Sequence, residues 1–187
     1  TSTASFGSYI GDGNGLTNIS STSLNGISLG LSTVVGDGAS SAASYGNAFG
    51  KSATSTGGQN VVVGAVSSVA YGGVSLGHST TGGQYTVAIG RDVGHASGQY
   101  NVLLGDRAGN QSSGDHNIAI GQLAGFNQTS GTGNITIGSG SQGVAGESNQ
   151  LRIGHGLHGA LISGSLSDGG VMIRGQVSAS SYIGDGS

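Results

Sequence analysis

The sequence contains no cysteine and no proline, and only 7% of its residues are charged. The absence of cysteine is compatible with a reducing or an oxidising compartment. The five basic residues are widely spread and the formal net charge is −3, so no basic patch for nucleic acid is predicted. No apolar run approaches the roughly 20 residues that span a bilayer, which argues against membrane insertion.

Glycine, by contrast, accounts for 41 of the 187 residues. Such a composition is typical of a flexible linker when the apolar residues are scattered, but here they recur at regular intervals. The stretch SYIGDG occurs at 8–13 and again at 181–186. This repetition predicts that the sequence is one module, and the start of the next, of a longer modular protein.

A five-residue phrase with a closing glycine organises the chain. Its near-constant spacing indicates an internal repeat. Weaker copies end at Gly36 and Gly50, so the repeat covers about 32–154. The strongest copies are NVVVG (60–64), GVSLG (73–77), TVAIG (86–90), NVLLG (101–105), NIAIG (117–121), NITIG (134–138) and QLRIG (150–154).

A period near 15 residues predicts a β-solenoid, in which each rung bonds to the next at about 4.8 Å. Eight or nine rungs would make a rod roughly 40 Å long. Period-2 alternation predicts that the second and fourth residues of each phrase, such as Val61 and Val63, face the interior. The middle residues, such as Val62, are then expected outside, and Arg152 is not expected to point inward. A second, smaller inward strand is predicted after each closing glycine.

One such rung offers about three inward apolar side chains, each worth roughly 1.5 to 3 kcal/mol. The backbone entropy of about 15 residues, at roughly 1 to 2 kcal/mol each, opposes folding. A lone coil is therefore marginal, and the sequence predicts a homo-oligomer in which the apolar or small middle residues face a partner.

The phrases SGDHNIAIGQLAG (113–125) and, more loosely, SGQYNVLLGDRAG (97–109) resemble the head repeat of trimeric autotransporter adhesins and related β-roll repeats of phage tail fibres. That resemblance implies an all-β fold, a left-handed parallel β-roll and a homotrimer around a threefold axis. The rungs of this β-solenoid are expected to contain about 13–17 residues, as the spacing of the repeat indicates. The flanking segments, such as SYIGDGNGLTNI (8–19), are similar to segments of modular tail-fibre proteins. We therefore expect a connector at 1–31, the repeat domain at 32–154 and a C-terminal connector at 155–187.

Charged residues fall into register on neighbouring rungs. Stacking would place Arg91 over Asp106 and Asp92 over Arg107, a ladder worth roughly 0.2 to 1 kcal/mol per pair. Catalysis of glycoside cleavage needs two facing carboxylates, and a charge ladder occupies the acids instead. The sequence therefore favours a structural role for these residues and predicts no enzyme activity and no cofactor.

Two further columns of residues recur once per rung. Asn60, Asn101, Asn117 and Asn134 are predicted to form a structural asparagine ladder. Tyr85, Tyr100 and His116 precede this column directly and are candidates either for receptor binding or for packing at a subunit seam, of which the seam is favoured. Phe126, in a longer late loop, is a further candidate contact. The histidines share no metal-ligand spacing, so no metal is predicted.

The resemblance, together with these features, implies a structural and adhesive segment of a trimeric tail fibre of a virion, which presents loops for attachment to a bacterial surface glycan. Other fibre or tail modules would be its partners, and its location would be extracellular. Two alternatives stay open: a purely structural spacer with recognition elsewhere, and the head of a trimeric autotransporter on the bacterial cell surface.

Overall fold

The computed structural model of the chain describes residues 32–42, 44–94, 98–156 and 159–176. These ranges form strands, turns and bends, and they contain no helix. The all-β class predicted from the sequence is therefore confirmed. The predicted connector at 1–31, the second SYIGDG copy at 181–186, His95 and His158 lie outside the described residues.

The described residues form fifteen short strands, most of them of two to five residues. Their bounds are β1 Thr33–Val35, β2 Ser40–Ser41, β3 Asn47–Phe49, β4 Thr54–Ser55, β5 Val61–Val63, β6 Ser68–Val69, β7 Val74–His78, β8 Thr81–Gly82, β9 Val87–Arg91, β10 Val102–Leu104, β11 Ile118–Ile120, β12 Ile135–Ile137, β13 Gln150–His155, β14 Gly159–Ser165 and β15 Val171–Ile173.

One sheet runs the length of the molecule. Its parallel part follows the order β1, β3, β5, β7, β9, β10, β11, β12 and β13. Because eight returns of the chain join these nine strands, the fold is a β-solenoid of about eight turns, as predicted. The register is constant from rung to rung, so that Val74 pairs with Val87 and Val87 with Val102. Equivalent residues of the repeat therefore lie in columns along the sheet.

A second parallel sheet, of β2, β4, β6 and β8, covers the other side of the first rungs. The prediction of two strands per rung is wrong for the later rungs, where the described residues between the main strands form turns. The reason is their greater length. Extra residues close local turns, such as Ser112 N–H to Gly109 C=O at 2.9 Å and Gln128 N–H to Gly125 C=O at 3.2 Å.

The strands face the opposite way from the prediction. The middle residues lie inside: Val62 and Ala88 are fully buried, and Leu103 is 3% exposed. The flanking residues lie outside, with Val61 39% and Val63 42% exposed. The predicted parity is wrong because the coil is thin, and its interior holds one small or medium side chain per strand rather than two bulky ones.

Small side chains fill the interior. Six of the ten buried apolar residues in the described part of the chain are alanine. They include Ala108 and Ala124, which lie three residues after a closing glycine. Polar residues complete the columns: Ser75 and Thr80 hydrogen-bond to each other through their hydroxyl groups and separate the apolar core into two clusters. This interior therefore buries little apolar area.

A closing glycine follows the three paired residues of each phrase in the main sheet, and a side chain does not fit at this position. Gly64, Gly77 and Gly90 have φ of 133°, 138° and 141°, a conformation that L-residues rarely adopt. A side-chain carbon at any of them would overlap the carbonyl oxygen of the next closing glycine in the column. The glycine column therefore sets both the corner and the close stacking of the rungs.

The parallel stack ends at β13. β14 pairs with β13 in the antiparallel direction, and β15 pairs in the same way with β14. Arg152, in β13, pairs in register with Thr136 and so stands at an interior position of the repeat. Its side chain is only 19% exposed, contrary to the expectation that it would point away from the interior.

Candidate functional site: the apolar face and its flanking columns

The most extensive candidate surface is the outer side of the main sheet. We call its twelve flanking strand residues the apolar face, and none of them is buried. Large exposed apolar surfaces of several hundred Å² mark sites of interaction in soluble proteins. The apolar face comprises Val61, Val63, Val74, Leu76, Val87, Ile89, Val102, Leu104, Ile118, Ile120, Ile135 and Ile137.

No charged residue interrupts the apolar face between Val61 and Ile137, because the three residues before each closing glycine in this range are apolar, Ser or Thr. Charged side chains begin one or two residues after the corner glycines, at Arg91, Asp92, Asp106 and Arg107. The face is thus a continuous apolar stripe with a repeat equal to the strand spacing, about 4.8 Å.

A buried asparagine ladder runs beside the apolar face. The Oδ1 atom of Asn101 accepts the N–H of Asn117 at 2.7 Å, and that of Asn117 accepts the N–H of Asn134 at 2.9 Å. Their Nδ2 groups donate to loop carbonyls of the next rung, such as that of Gly131 at 2.8 Å from Asn117. The Oδ1 atom of Asn60 likewise accepts the N–H of Gly73, at 3.0 Å. The four asparagines thus join successive rungs and are not exposed for binding.

An aromatic column lies one position before the asparagine ladder. The rings of Tyr85 and Tyr100, and those of Tyr100 and His116, stack with centroids 5.0 Å apart in each case. Tyr71 extends the column with an edge contact to Tyr85, at 5.7 Å. Tyr100 therefore has a neighbouring ring on both faces. Since stacking of a sugar needs a free ring face, Tyr100 offers solvent only its edge and hydroxyl group.

One of the two predicted charge pairs is formed. Nε of Arg91 lies 2.8 Å from Oδ1 of Asp106, and this guanidinium lowers the pKa of the Asp106 carboxyl group. Asp92 lies 3.8 Å from Nη1 of Arg91 instead. Asp92 and Arg107 make no ion pair with each other within the described ranges, and both line a shallow cavity of about 470 Å³. The predicted ladder is thus a single cross-rung pair with Asp92 at its side.

The remaining candidates lie apart from these columns. Phe126 is half-buried in a turn that follows β11, where its N–H donates to the carbonyl of Leu123 at 3.4 Å. Within the described residues, no three side chains of His, Cys, Asp or Glu lie close enough to hold a metal ion. The same part of the chain contains no helix of the length and hydropathy needed to cross a membrane.

Sequence reasoning missed the apolar face and Tyr71. A signal for the face was present, because the middle positions include Ala48, Ala88 and Ala119 whereas the flanking positions are almost all Val, Ile or Leu. Tyr71 is one residue out of register with Tyr85, whose repeat position is occupied by Gly72. Periodicity alone could not reveal that its ring meets the column.

Comparisons of the chain with protein-family models, with curated proteins and with solved structures found no match. The resemblance to autotransporter heads and phage tail fibres therefore stays a prediction from the repeat motif.

Proposed function

We propose that the chain is a structural and attachment segment of an extracellular homotrimeric fibre, in which three copies pack through the apolar face. The observation that carries this proposal is the distribution of small and bulky side chains between the interior and the outer face of the repeat. Alanine, serine and threonine fill much of the interior, whereas valine, isoleucine and leucine stand outside on one sheet face. Bulky apolar residues gain stability only where a partner covers them.

A second copy of the same chain is the partner that fits this face best. Both surfaces would carry the same rung repeat of about 4.8 Å, so apolar side chains of one copy could interdigitate with those of another along the whole stripe. The absence of charge on the stripe between Val61 and Ile137 removes the cost of desolvating ions. The number of copies, three, and the left-handed sense of the coil come from the resemblance.

The loops that point away from the trimer axis would make the attachment contacts. The closing glycines lie farther apart in the sequence after Gly105 than between Gly64 and Gly90, so additional loop residues are available at this end. Such loops are where recognition concentrates, and three copies on each fibre would add avidity to weak contacts. A glycan of the bacterial surface, reached by a phage-type tail fibre, is the proposed target.

A purely structural spacer is the second candidate. The observation in its favour is the aromatic column, whose inner ring faces are covered by neighbouring rings instead of being open to sugars. In that case recognition would lie elsewhere in the fibre. The head of a bacterial cell-surface autotransporter would use the same trimeric arrangement.

Sedimentation equilibrium of the purified chain, over a range of concentrations, tests the trimer. We expect three times the chain mass of 17.9 kDa. A folded protein with the mass of one chain at all concentrations would refute it. A glycan array probed with the same sample then separates an attachment segment from a spacer, since only the former should retain bacterial surface glycans.

A further inference from the structure

A cavity of about 530 Å³ lies where the parallel stack ends. Most of its lining comes from the turn after β12, from β13 and from the start of β14. The lining residues with polar side chains are Ser139, Ser141, Gln142, Arg152 and His155. Because β14 reverses direction, no further parallel rung covers the interior here, and the column of interior side chains ends in this cavity.

Arg152 is the unusual residue of the cavity. It occupies the interior position that small residues hold on preceding rungs, such as Ala119 and Thr136. Its Nη2 atom makes an ion pair with Glu147. Its Nη1 atom is also buried but has no hydrogen-bond acceptor among the described residues. A buried donor without an acceptor costs about 1 to 3 kcal/mol and more when the group is charged, so this atom requires an explanation.

A second guanidinium lies at the edge of the cavity. A side-chain carbon at Gly159, a lining residue, would lie 3.4 Å from Nη1 of Arg174. Two of the five basic residues of the chain thus lie at this end, with His155 in the lining. The carboxylate of Glu147 pairs with Arg152. Asp168 lines a neighbouring cavity, which Arg152 also lines, and the carboxylate of Asp168 accepts the N–H of Gly170 at 3.2 Å.

The chemistry of these groups favours an oxyanion as the ligand. A guanidinium presents planar, permanently charged donors that match the oxygens of a carboxylate or a phosphate. The hydroxyl groups of Ser139 and Ser141 and the carboxamide of Gln142 can donate further hydrogen bonds. The volume exceeds that of one small ion and lies within the range of small-molecule sites.

We propose that this end cavity binds the carboxylate or phosphate group of an acidic sugar, with Arg152 as the principal ligand and Arg174 at the rim. Oxyanion binding itself is independent of the fibre. The choice of an acidic sugar rests on the proposed attachment function, because surface glycans carry both groups.

Titration of the ¹⁵N-labelled full chain, followed by NMR, tests the site. The probes are sodium glucuronate and inorganic phosphate, with glucose as the neutral control, at constant ionic strength. We expect saturable shifts of amides in 139–142 and 152–156 with glucuronate, phosphate or both, and a dissociation constant on the order of 1 mM. Response to glucuronate alone identifies a carboxylate site, and response to phosphate alone identifies a phosphate site. If neither probe produces a saturable shift at concentrations up to tens of times that dissociation constant, the proposal is overturned.

Variants locate the binding. Arg152→Gln should weaken binding at least tenfold, whereas Arg107→Gln, an exposed arginine outside this cavity, should leave it unchanged. If Arg152→Gln fails to fold, Arg174→Gln, which alters an exposed residue, should still weaken binding about threefold. If the cavity variants that fold bind the probes as tightly as wild type does, the proposed site is wrong. The mass of each sample is measured in parallel, so loss of the trimer and loss of anion binding are separate results.

Discussion

At the scale of single residues, the fold depends on left-handed backbone positions that recur in each rung. One is the closing glycine, and another precedes the asparagine ladder. At the latter, Tyr85, Tyr100 and His116 adopt φ of 54° to 58°, although such a conformation costs an L-residue roughly 1 to 2 kcal/mol. Glycine occupies the same position in other rungs, at Gly72 and Gly133. Stacking of the aromatic rings adds a favourable contact at three of these positions, whereas Gln59 and Asn149 adopt the same conformation without it.

Substitution of a closing glycine should be severe. Gly90→Ala would place a side-chain carbon against the carbonyl oxygen of Gly105, at φ of 141°. We expect a loss of more than about 2 kcal/mol in the free energy of unfolding, measured by urea denaturation. The matched control is Gly169→Ala, where φ is 75° and no atom lies within 4 Å. Its cost should be that of the left-handed conformation alone, about 1 kcal/mol. Similar losses in both variants would contradict the close stacking of the glycine column.

The asparagine ladder should contribute as buried hydrogen bonds do. Asn117→Ala removes the acceptor of the Asn134 N–H and the donor to the Gly131 carbonyl. Each buried group left without its partner costs about 1 to 3 kcal/mol, so a loss of about 2 to 6 kcal/mol is expected by thermal or urea unfolding. Asn127→Ala is the control, because its amide bonds only at the surface, to Gln142 at 2.8 Å. An unfolding free energy unchanged by Asn117→Ala would exclude a structural role for the ladder.

At the scale of elements, the repeat phrase was sufficient to predict short strands, their parallel stacking and the closing glycine. It was not sufficient to predict which side of each strand faces inward. In Val61–Val63 all three residues are valine, so alternation distinguishes two faces without assigning either one. The assignment follows from volume, since so thin a coil has room inside for Ala88 but not for both Val87 and Ile89. Alanine at middle positions is a sequence signal for that assignment, but the width of the coil, which gives the signal its meaning, is known only from the tertiary structure.

The cross-rung charge pair gives a prediction at this scale. Arg91→Asp should lower the melting temperature more than the double variant Arg91→Asp/Asp106→Arg, because the double change restores opposite charges at the 2.8 Å contact. The expected difference is about 1 to 3 °C, as for exposed ion pairs. A single charge reversal at Asp92 and the double charge reversal at Asp92 and Arg107 should lower the melting temperature equally, since these residues do not pair with each other. Equal losses in the single and double variants at Arg91 would argue against the pair.

At the scale of the whole molecule, the sequence indicated a coil too thin to be stable alone, and the structure strengthens that argument. The interior proves smaller than expected, because alanine replaces the bulky residues assumed to lie there. The argument from size for a partner thus gains force, but the middle residues that the sequence predicted to face a partner are buried inside the coil. The position of Arg152 could not be predicted from the sequence either. It depends on where the parallel stack ends, at the reversal of direction in β14, and the repeat phrases do not predict that reversal.

The apolar face supplies the decisive test of the assembly. Ile89→Lys would place a charge on an outer position that is 37% exposed in the single chain and would be covered in a trimer. A covered, unpaired ammonium group costs several kcal/mol, and each trimer would contain three of them. We therefore expect the variant to sediment with the mass of one chain, or to dissociate at a concentration at least tenfold higher than wild type. The control is Val144→Lys, which alters a loop residue 49% exposed and outside the apolar face. If Ile89→Lys assembles as well as Val144→Lys, the copies pack through another surface.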